Sequence, residues 1–560
     1  MQMIMTKNIF EMITNQIKTT IYINKSERTP IQMTKTKDNC KSDILLLIFM
    51  FILLLFFLFF NVLVSMIKAS NYPKLEDSIE EVESLLGDYS EFYVAINGNH
   101  NITQHTIYNI DYNDDLILLV PNTIMNTFVV DIYTSWDENI GSYNCDFSKD
   151  YVIKGKHIKL IKSSLPFVFI DVNKNALNSV NDSYRDGSNA KVKASVEVTS
   201  RIGDSTNTSS GIISPRGSAT WHLYKKKPYS LKLTYKNDMF KLGDYKKYNL
   251  LANASDKTLL KNEVFFDLAN AIGLDYTPKI TNVNMFFNNH YKGVYSISTK
   301  VKDKKIPMDL DQGDYLICWG SPRANDVIYY DCDFWTDDSD IAENSGAYVS
   351  LEWPEEGEYT KATKEKVQKI VQNYIDVLEG RKEGKLSDYV DLESLAKYYW
   401  IQEIGMNSDG WYRSTYTYYK KNTGKLYYGP LWDMEFVLGA NVTKNDISFR
   451  DPKGWVIRRN AYYVPLFKNE EFVKEVERVY YDYNIEDKMY KSYNNFCDKV
   501  DDLSLEGEIN YQLWYNEGSF YDTITVDDAN TYSDYCKIKI DFYKERIDWI
   551  ANEMRKSKNN

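Results

Sequence analysis

Asp409 sits in an Asn-Ser-Asp-Gly stretch that follows a helix-forming run, and Asp433 follows Gly-Pro-Leu-Trp. Between them, residues 414–419 are β-branched and aromatic, Asn422-Thr423-Gly424 is turn chemistry, and residues 425–428 begin a return strand. A hairpin brings its two ends together, so both carboxylates can face one site. One loop acid that orients a hydroxyl, and a second acid that holds Mg²⁺ on phosphates, is a division of labour suited to phosphoryl transfer. The same spacing also suits a turn-capping Asp409 and a solvated strand-end Asp433.

The elements that must position these acids are legible as periodicities. Before the loop, Asp391 is an N-cap, and Leu392, Leu395, Ala396, Tyr399, Trp400 and Glu403 fall on one helical face. Glu403 ends that apolar stripe, so it either pairs with a buried cation or points into a cleft. Upstream, residues 165–170 read as a buried strand, and residues 191–199 alternate with Val192, Ala194, Val196 and Val198 on one face. After Lys225-Lys226-Lys227-Pro228, the side chains of Tyr229, Leu231 and Leu233 share a face, while Ser230 and Lys232 take the other. A lysine so placed can reach the α- and β-phosphates of a nucleotide, and Arg216-Gly217 offers a cation and a close backbone approach. A solvated sheet face with a basic rim reads the same way.

Residues 249–256 then lead into a helix over 257–273, with Asp256 as N-cap and Gly273 as stop. Leu260, Val264, Leu268, Ala271 and Ile272 form its stripe. Lys261, Asn262 and Glu263 lie beside that stripe, with Glu263 the first candidate by charge to pair with Lys232. Strands follow at 280–287 and 294–298, joined through 288–293, and at 314–318. The chain beyond residue 464 reads mainly as helices, for example over 469–480 and 535–554.

Composition and the N-terminus supply the setting. A chain of 560 residues with net charge −12 and no Lys/Arg block does not fit a general nucleic-acid binder, so no nucleic-acid partner is expected. Residues 44–64 are an almost unbroken apolar run, long enough to cross about 30 Å of hydrocarbon. Lys7, Lys18, Lys25, Arg28, Lys35, Lys37 and Lys41 precede it; Lys68 and Lys74 follow, offset by Glu76, Asp77, Glu80 and Glu81. That asymmetry predicts a single-pass type II membrane protein with residues 1–43 in the cytosol and the rest in the secretory lumen or at the cell surface. Sequons at Asn101, Asn181, Asn207, Asn253 and Asn441 agree with a glycoprotein. Cys318/Cys332 and Cys497/Cys536 are candidate disulfides in such a compartment, with Cys145 left over. The scattered histidines and the absence of a C-x-x-C pair argue against a zinc site. Residues 71–160, with strands expected at 91–96, 115–120, 127–133 and 151–161, read as a small all-β domain acting as spacer or binding module.

Over roughly residues 164–480 the ordered set Trp221 with KKKPYSLKL, NLLANASDKTLLKN, NNHYKGVYSI, NSDG and GPLWDMEF resembles the CotH kinase family, the spore-coat protein H kinases. The resemblance implies an α+β fold: a divergent protein-kinase-like domain ending in helices, here preceded by the small all-β domain and one transmembrane helix, with residues 481–560 as a helical extension. It implies ATP-dependent phosphorylation of Ser or Thr on an extracellular or lumenal protein, with Mg²⁺ or Mn²⁺. Asp409 then looks like the catalytic-loop acid, Asp433 with Glu435 like the metal acids, and Lys232 like the phosphate-contacting lysine, with Arg216 and Glu263 on the nucleotide side. Three positions depart from the family's pattern: Lys261 for an arginine, Met434-Glu435 for Phe-Asp, and Ser414 where a conventional kinase has a metal-binding Asn. Relatives acting in adhesion make a non-catalytic surface adhesin or scaffold the alternative.

The charge asymmetry carries a direct test of topology. Protease added to the cytosolic face of intact membrane vesicles is expected to trim only the segment before residue 44, and glycosidase to lower the mass of the protected fragment. Digestion of the whole chain with no glycan shift would reverse the orientation.

Overall fold

Alternating apolar residues build the first half of the described chain into sheets, and helices that are apolar over wide faces build the second. The computed structural model describes residues 72–559 apart from interruptions, among them 97–106, 302–309, 333–347, 411–413, 441–446, 515–528 and the single residue Asp409. The expected membrane span lies outside the described residues. Among the described residues, no helix is long and apolar enough to cross a membrane.

The first layer holds a helix, α1 (Ile79–Leu86), and seven strands: β1 (Tyr93–Ile96), β2 (Ile107–Asn109), β3 (Asp115–Pro121), β4 (Thr127–Ser135), β5 (Glu138–Asp146), β6 (Tyr151–Ile153) and β7 (Lys156–Ser163). They form a sheet β1-β4-β5 and a sheet β2-β3-β7-β6 around Val82, Leu116, Leu118, Val130 and Ile158. Two sequence readings change here. The module is not purely β, because α1 packs Val82 and Leu86 into its core. The single strand expected over 151–161 is a hairpin, because Lys154 and Gly155 both take positive φ (52° and 75°), the conformation of a two-residue turn. Nor is the module a detached spacer. Ile117 and Leu119 pack against Phe167, Phe169, Phe286 and Ile509 from the next layers. Beneath them Tyr291 OH donates to Asn284 Oδ1 (2.7 Å), Asn284 Nδ2 donates to Ser163 Oγ (2.8 Å), and Ser163 Oγ donates to Glu506.

Next come β8 (Phe167–Val172), α2 (Lys174–Asp182), β9 (Ala194–Ile202), β10 (Ser205–Pro215), α3 (Ala219–Leu223), β11 (Tyr229–Asn237), β12 (Tyr245–Leu251), α4 (Lys261–Ile272), β13 (Ile280–Phe287) and β14 (His290–Thr299). Seven of the strands close a barrel in the order β10-β11-β12-β14-β13-β8-β9. Val196, Val198, Leu231, Leu233, Tyr248, Val283 and Ile297 fill it, so the alternation read from the sequence is the inward face from Ala194 onward, while Val192 lies before β9 and is exposed. β14 begins four residues earlier than expected, because the chain turns at Asn288 (φ 46°).

The third part holds β15 (Tyr315–Trp319), β16 (Val327–Tyr329), β17 (Tyr348–Trp353), α5 (Lys361–Leu378), α6 (Leu392–Gly405), β18 (Thr415–Lys420) and β19 (Lys425–Tyr428), the strands ordered β16-β17-β15-β18-β19. The β18–β19 hairpin matches the sequence reading, closed by Gly424 N to Lys420 O at 2.9 Å. Helices α7 (Tyr463–Lys468), α8 (Glu470–Asp482), α9 (Ile485–Asp502), α10 (Ser504–Trp514) and α11 (Tyr532–Asn559) complete the chain. Asp391 caps α6 through Ser394 N at 2.8 Å. Every residue of α6 from Leu395 to Gly405 is buried, so the stripe seen in sequence is one side of a helix enclosed on all sides.

The ambiguity at Glu403 resolves to a buried cation. Its carboxylate lies 2.6 Å from Arg546 of α11, and neither side chain is exposed. It also accepts from the backbone N–H groups of Val456, Ile457 and Arg458 and from Tyr399 OH. Arg546 further donates to the carbonyls of Glu403, Pro452 and Gly454.

The candidate disulfides do not form; all five described cysteines are thiols. Of the sequons, Asn253 is unsuited to a glycan in the folded protein, because its buried amide donates to Leu259 O and Ser296 Oγ. Asn101 and Asn441 lie outside the described residues.

Removing one partner of a buried pair strands the other charge. Arg546→Met is therefore expected to destabilise by about 3–5 kcal/mol in urea unfolding, and the Glu403→Leu/Arg546→Met double variant by less than Arg546→Met alone. Equal losses in both would mean that the charge pairing is immaterial.

Candidate functional site

Three segments converge between the barrel and α6. The first, residues 252–262, runs from β12 into α4 and is buried throughout. Asp256 organises it: one oxygen accepts from Thr258 N (3.0 Å) and Thr258 Oγ1 (2.7 Å), the other from Lys261 N (2.8 Å). The sequence places the helix directly after Asp256, but Leu259 takes φ 65° and α4 starts only at Lys261. Asp256 still satisfies a first-turn N–H, from five residues upstream. The Lys261 ammonium lies 3.9 Å from Asp256 and donates to the backbone carbonyl of Glu435 at 3.4 Å.

The second segment carries the acids. Asp433 adopts φ 64°, a conformation Asp tolerates better than most residues. Asn262 Oδ1 accepts Met434 N at 2.9 Å, which pins the chain between the two acids. Ser255 Oγ donates to the Glu435 carboxylate, which is buried. Burial, then the Asp433 charge, pushes the Glu435 carboxyl above the ordinary range; Ser255 and Arg216 oppose the shift. Arg216 stacks over the Trp432 ring, 5.5 Å from its centroid.

The third segment is the end of α6 and the loop that leaves it. Leu438 N donates to Gly405 O (2.9 Å) and Ser408 N to Phe436 O (3.2 Å), so the Asn-Ser-Asp-Gly stretch enters beside the acid segment. Asp409 itself lies outside the described residues. Ser414, also at positive φ (52°), donates to Asp433 Oδ2 at 3.0 Å. The wholly buried Gln402 amide, which has no hydrogen-bond partner among the described residues, packs where a Cβ at Gly410 would sit.

The expected Lys232–Glu263 pair does not form. Lys232 is exposed on the outer face of β11, in register with Ile212 and Lys247. Glu263 instead meets Lys499 of α9 at 2.6 Å. The reason is phase: residue 232 takes the barrel's outward face, and the third residue of α4 faces the C-terminal helices. Lys226, from the KKKP run that reads in sequence as a basic rim, is buried instead. Its ammonium donates to Val294 O (2.5 Å) and Asn510 Oδ1 (2.8 Å) and lies 4.7 Å from the Tyr295 ring centroid. Burial lowers its pKa well below that of an ordinary lysine, opposed by the Glu435 charge.

The structure thus brings together Arg216, Asp433 and Glu435 from the sequence reading, and leaves Lys232 and Glu263 apart from them. Lys226 and Ser255 were not singled out in the sequence, Asp256 was read only as an N-cap, and Asn262 only as a possible partner of Lys232. Lys261 was a further possible partner of Lys232 and a departure from the family pattern, and Ser414 was visible only as such a departure. Among the described residues no group of three or more His, Cys, Asp or Glu side chains is arranged to hold a metal ion. Two carboxylates and a hydroxyl are nonetheless the hard oxygen donors Mg²⁺ takes when phosphates and water complete its shell.

A family model described as CotH kinase protein matches residues 213–550, from the end of β10 into α11. No curated protein matches the chain.

Asn262→Leu would orphan the buried Met434 N–H and release the chain between the acids. A loss of about 1–3 kcal/mol is expected in urea unfolding, with Asn262→Asp, which keeps the acceptor, losing less. A Leu variant as stable as the parent would show that this bond does not hold the acid segment.

Proposed function

This chain belongs to the CotH kinase family, and on that premise we propose that it is an atypical protein kinase moving the γ-phosphoryl group of ATP to Ser or Thr of extracellular or lumenal proteins. The observation that carries the reading is the Asp433/Glu435 pair, held by Ser414, Ser255 and Asn262 beside the stretch that bears Asp409. Asp433 and Glu435 would hold Mg²⁺ or Mn²⁺, which when bound neutralises charge on the β- and γ-phosphates. Arg216 supplies a cation beside the pair. The phosphate-contacting role expected of Lys232, which is exposed on the barrel's outer face, falls better to Lys226, a lysine buried just before the same strand and acted on by the Glu435 charge. Asp409 would accept or orient the substrate hydroxyl, a contribution of about 10²–10⁴ in rate. Attack of that hydroxyl oxygen on the γ-phosphorus breaks the bond to the β-phosphate oxygen and releases ADP; the hydroxyl proton passes to Asp409. The charge asymmetry around residues 44–64 supports a type II anchor and a lumenal or surface site.

The two acids are expected to fail differently. Asp433→Asn should abolish metal-dependent ATP binding, whereas Asp409→Asn should bind ATP with metal and transfer nothing. Thermal shift with ATP, Mg²⁺ and both, alongside transfer from γ-labelled ATP, separates the cases. Binding should stabilise the parent by about 2.7 kcal/mol at a hundredfold excess over Kd. No shift with any combination of ATP and Mg²⁺ or Mn²⁺ would favour the adhesin or scaffold reading.

A further inference from the structure

Asn510, on α10, lies 284 positions from Lys226 in the chain, yet its side chain is in direct contact with that lysine. Its Oδ1 accepts from the Lys226 ammonium at 2.8 Å and from Val294 N at 3.0 Å. Both partners are donors, which fixes the orientation of the amide. Gly293, at φ 83°, makes the approach possible: any Cβ there would overlap Asn510 Oδ1. Trp514, one turn further along α10, donates Nε1 to Lys292 O at 3.1 Å and docks the helix on the same hairpin. Asn510 is wholly buried, and its Nδ2 has no hydrogen-bond partner among the described residues. A buried amide that leaves its own donor unsatisfied is costly, about 1–3 kcal/mol, and that cost argues for a role beyond packing.

Resting on the kinase reading above, we propose that Asn510 is the positioning residue for Lys226: it holds the ammonium in place for the phosphate chain of ATP, so the C-terminal helices form part of the nucleotide site. The geometry supports this division. Lys226 precedes β11 in a lysine run, where a flexible four-carbon stem has no fixed direction of its own. Val294 O offers one acceptor and the Tyr295 face a second attraction, but both belong to the barrel. Asn510 is the contact that comes from outside the barrel, and it ties the lysine to the same helical layer that encloses α6.

The test measures dissociation constants of the full chain for ATP with Mg²⁺ and for adenosine. The proteins compared are the parent, Asn510→Leu, Asn510→Asp, Lys226→Met and the Lys226→Met/Asn510→Leu double variant. Asn510→Leu is expected to weaken ATP about tenfold, the worth of one hydrogen bond, and to leave adenosine unchanged. Asn510→Asp keeps the acceptor and should bind ATP within about threefold of the parent, which also covers the case in which the Leu variant fails to fold. In the Lys226→Met background, Asn510→Leu should cost nothing further, because its effect passes through the lysine. Fully additive losses, equal losses for ATP and adenosine, or an unchanged ATP affinity in Asn510→Leu would overturn the inference while leaving the kinase reading intact. A parent that does not prefer ATP over adenosine would instead sink the kinase reading, and this inference with it.

Discussion

The buried ion pair between Glu403 and Arg546 is the constraint on which the rest of the C-terminal half depends. Both side chains are fully enclosed, and desolvating two charges is tolerable only when each is saturated with partners. Glu403 meets that condition with three backbone N–H groups, a tyrosine hydroxyl and the guanidinium; Arg546 meets it with three carbonyls besides the carboxylate. The consequence is geometric. The end of α6, the 452–458 loop and α11 are clamped at one point, and the Asn-Ser-Asp-Gly stretch leaves α6 only four residues later.

Rigidity behind the site matters because the site itself is strained. Asp433 and Ser414 both hold positive φ, and a hydrogen bond joins their side chains. Non-glycine residues keep such conformations only when their surroundings over-determine them. Asn262 on one side and the Gly405 and Ser408 backbone on the other provide that determination. Glu435 adds an electrostatic load: a buried carboxyl beside another acid is pushed toward its neutral form, which a cation at the site would reverse.

The small β module is coupled to this framework rather than hung from it. Phe167, Phe169 and Phe286 on the barrel's outer face meet Ile117 and Leu119, and the chain of bonds through Asn284 and Ser163 reaches Glu506 on α10. The same helix carries Asn510. One short helix therefore contacts the module, the barrel and Lys226.

Local pattern was enough to reveal the hairpin between the acids, the Asp391 cap, the Gly273 stop, the inward face of β11 and the closing helices. These arise from periodicity, capping and turn chemistry within a few residues, and folding preserved them. The motif order also identified the family. Other features needed contacts between residues far apart in sequence. Whether Glu403 faced a cation or a cleft depended on Arg546, 143 positions away. Whether Lys226 or Lys232 was buried depended on barrel closure, which turns Lys232 outward and lets Lys226 reach Val294 and Asn510. The partner of Glu263 came from α9, and the cysteine spacing suggested bridges that the fold does not make. A sequence determines which face of an element is apolar, because that is a property of spacing. Which charges meet on the other faces is decided only when the elements pack, because burial and pairing are properties of the assembled whole.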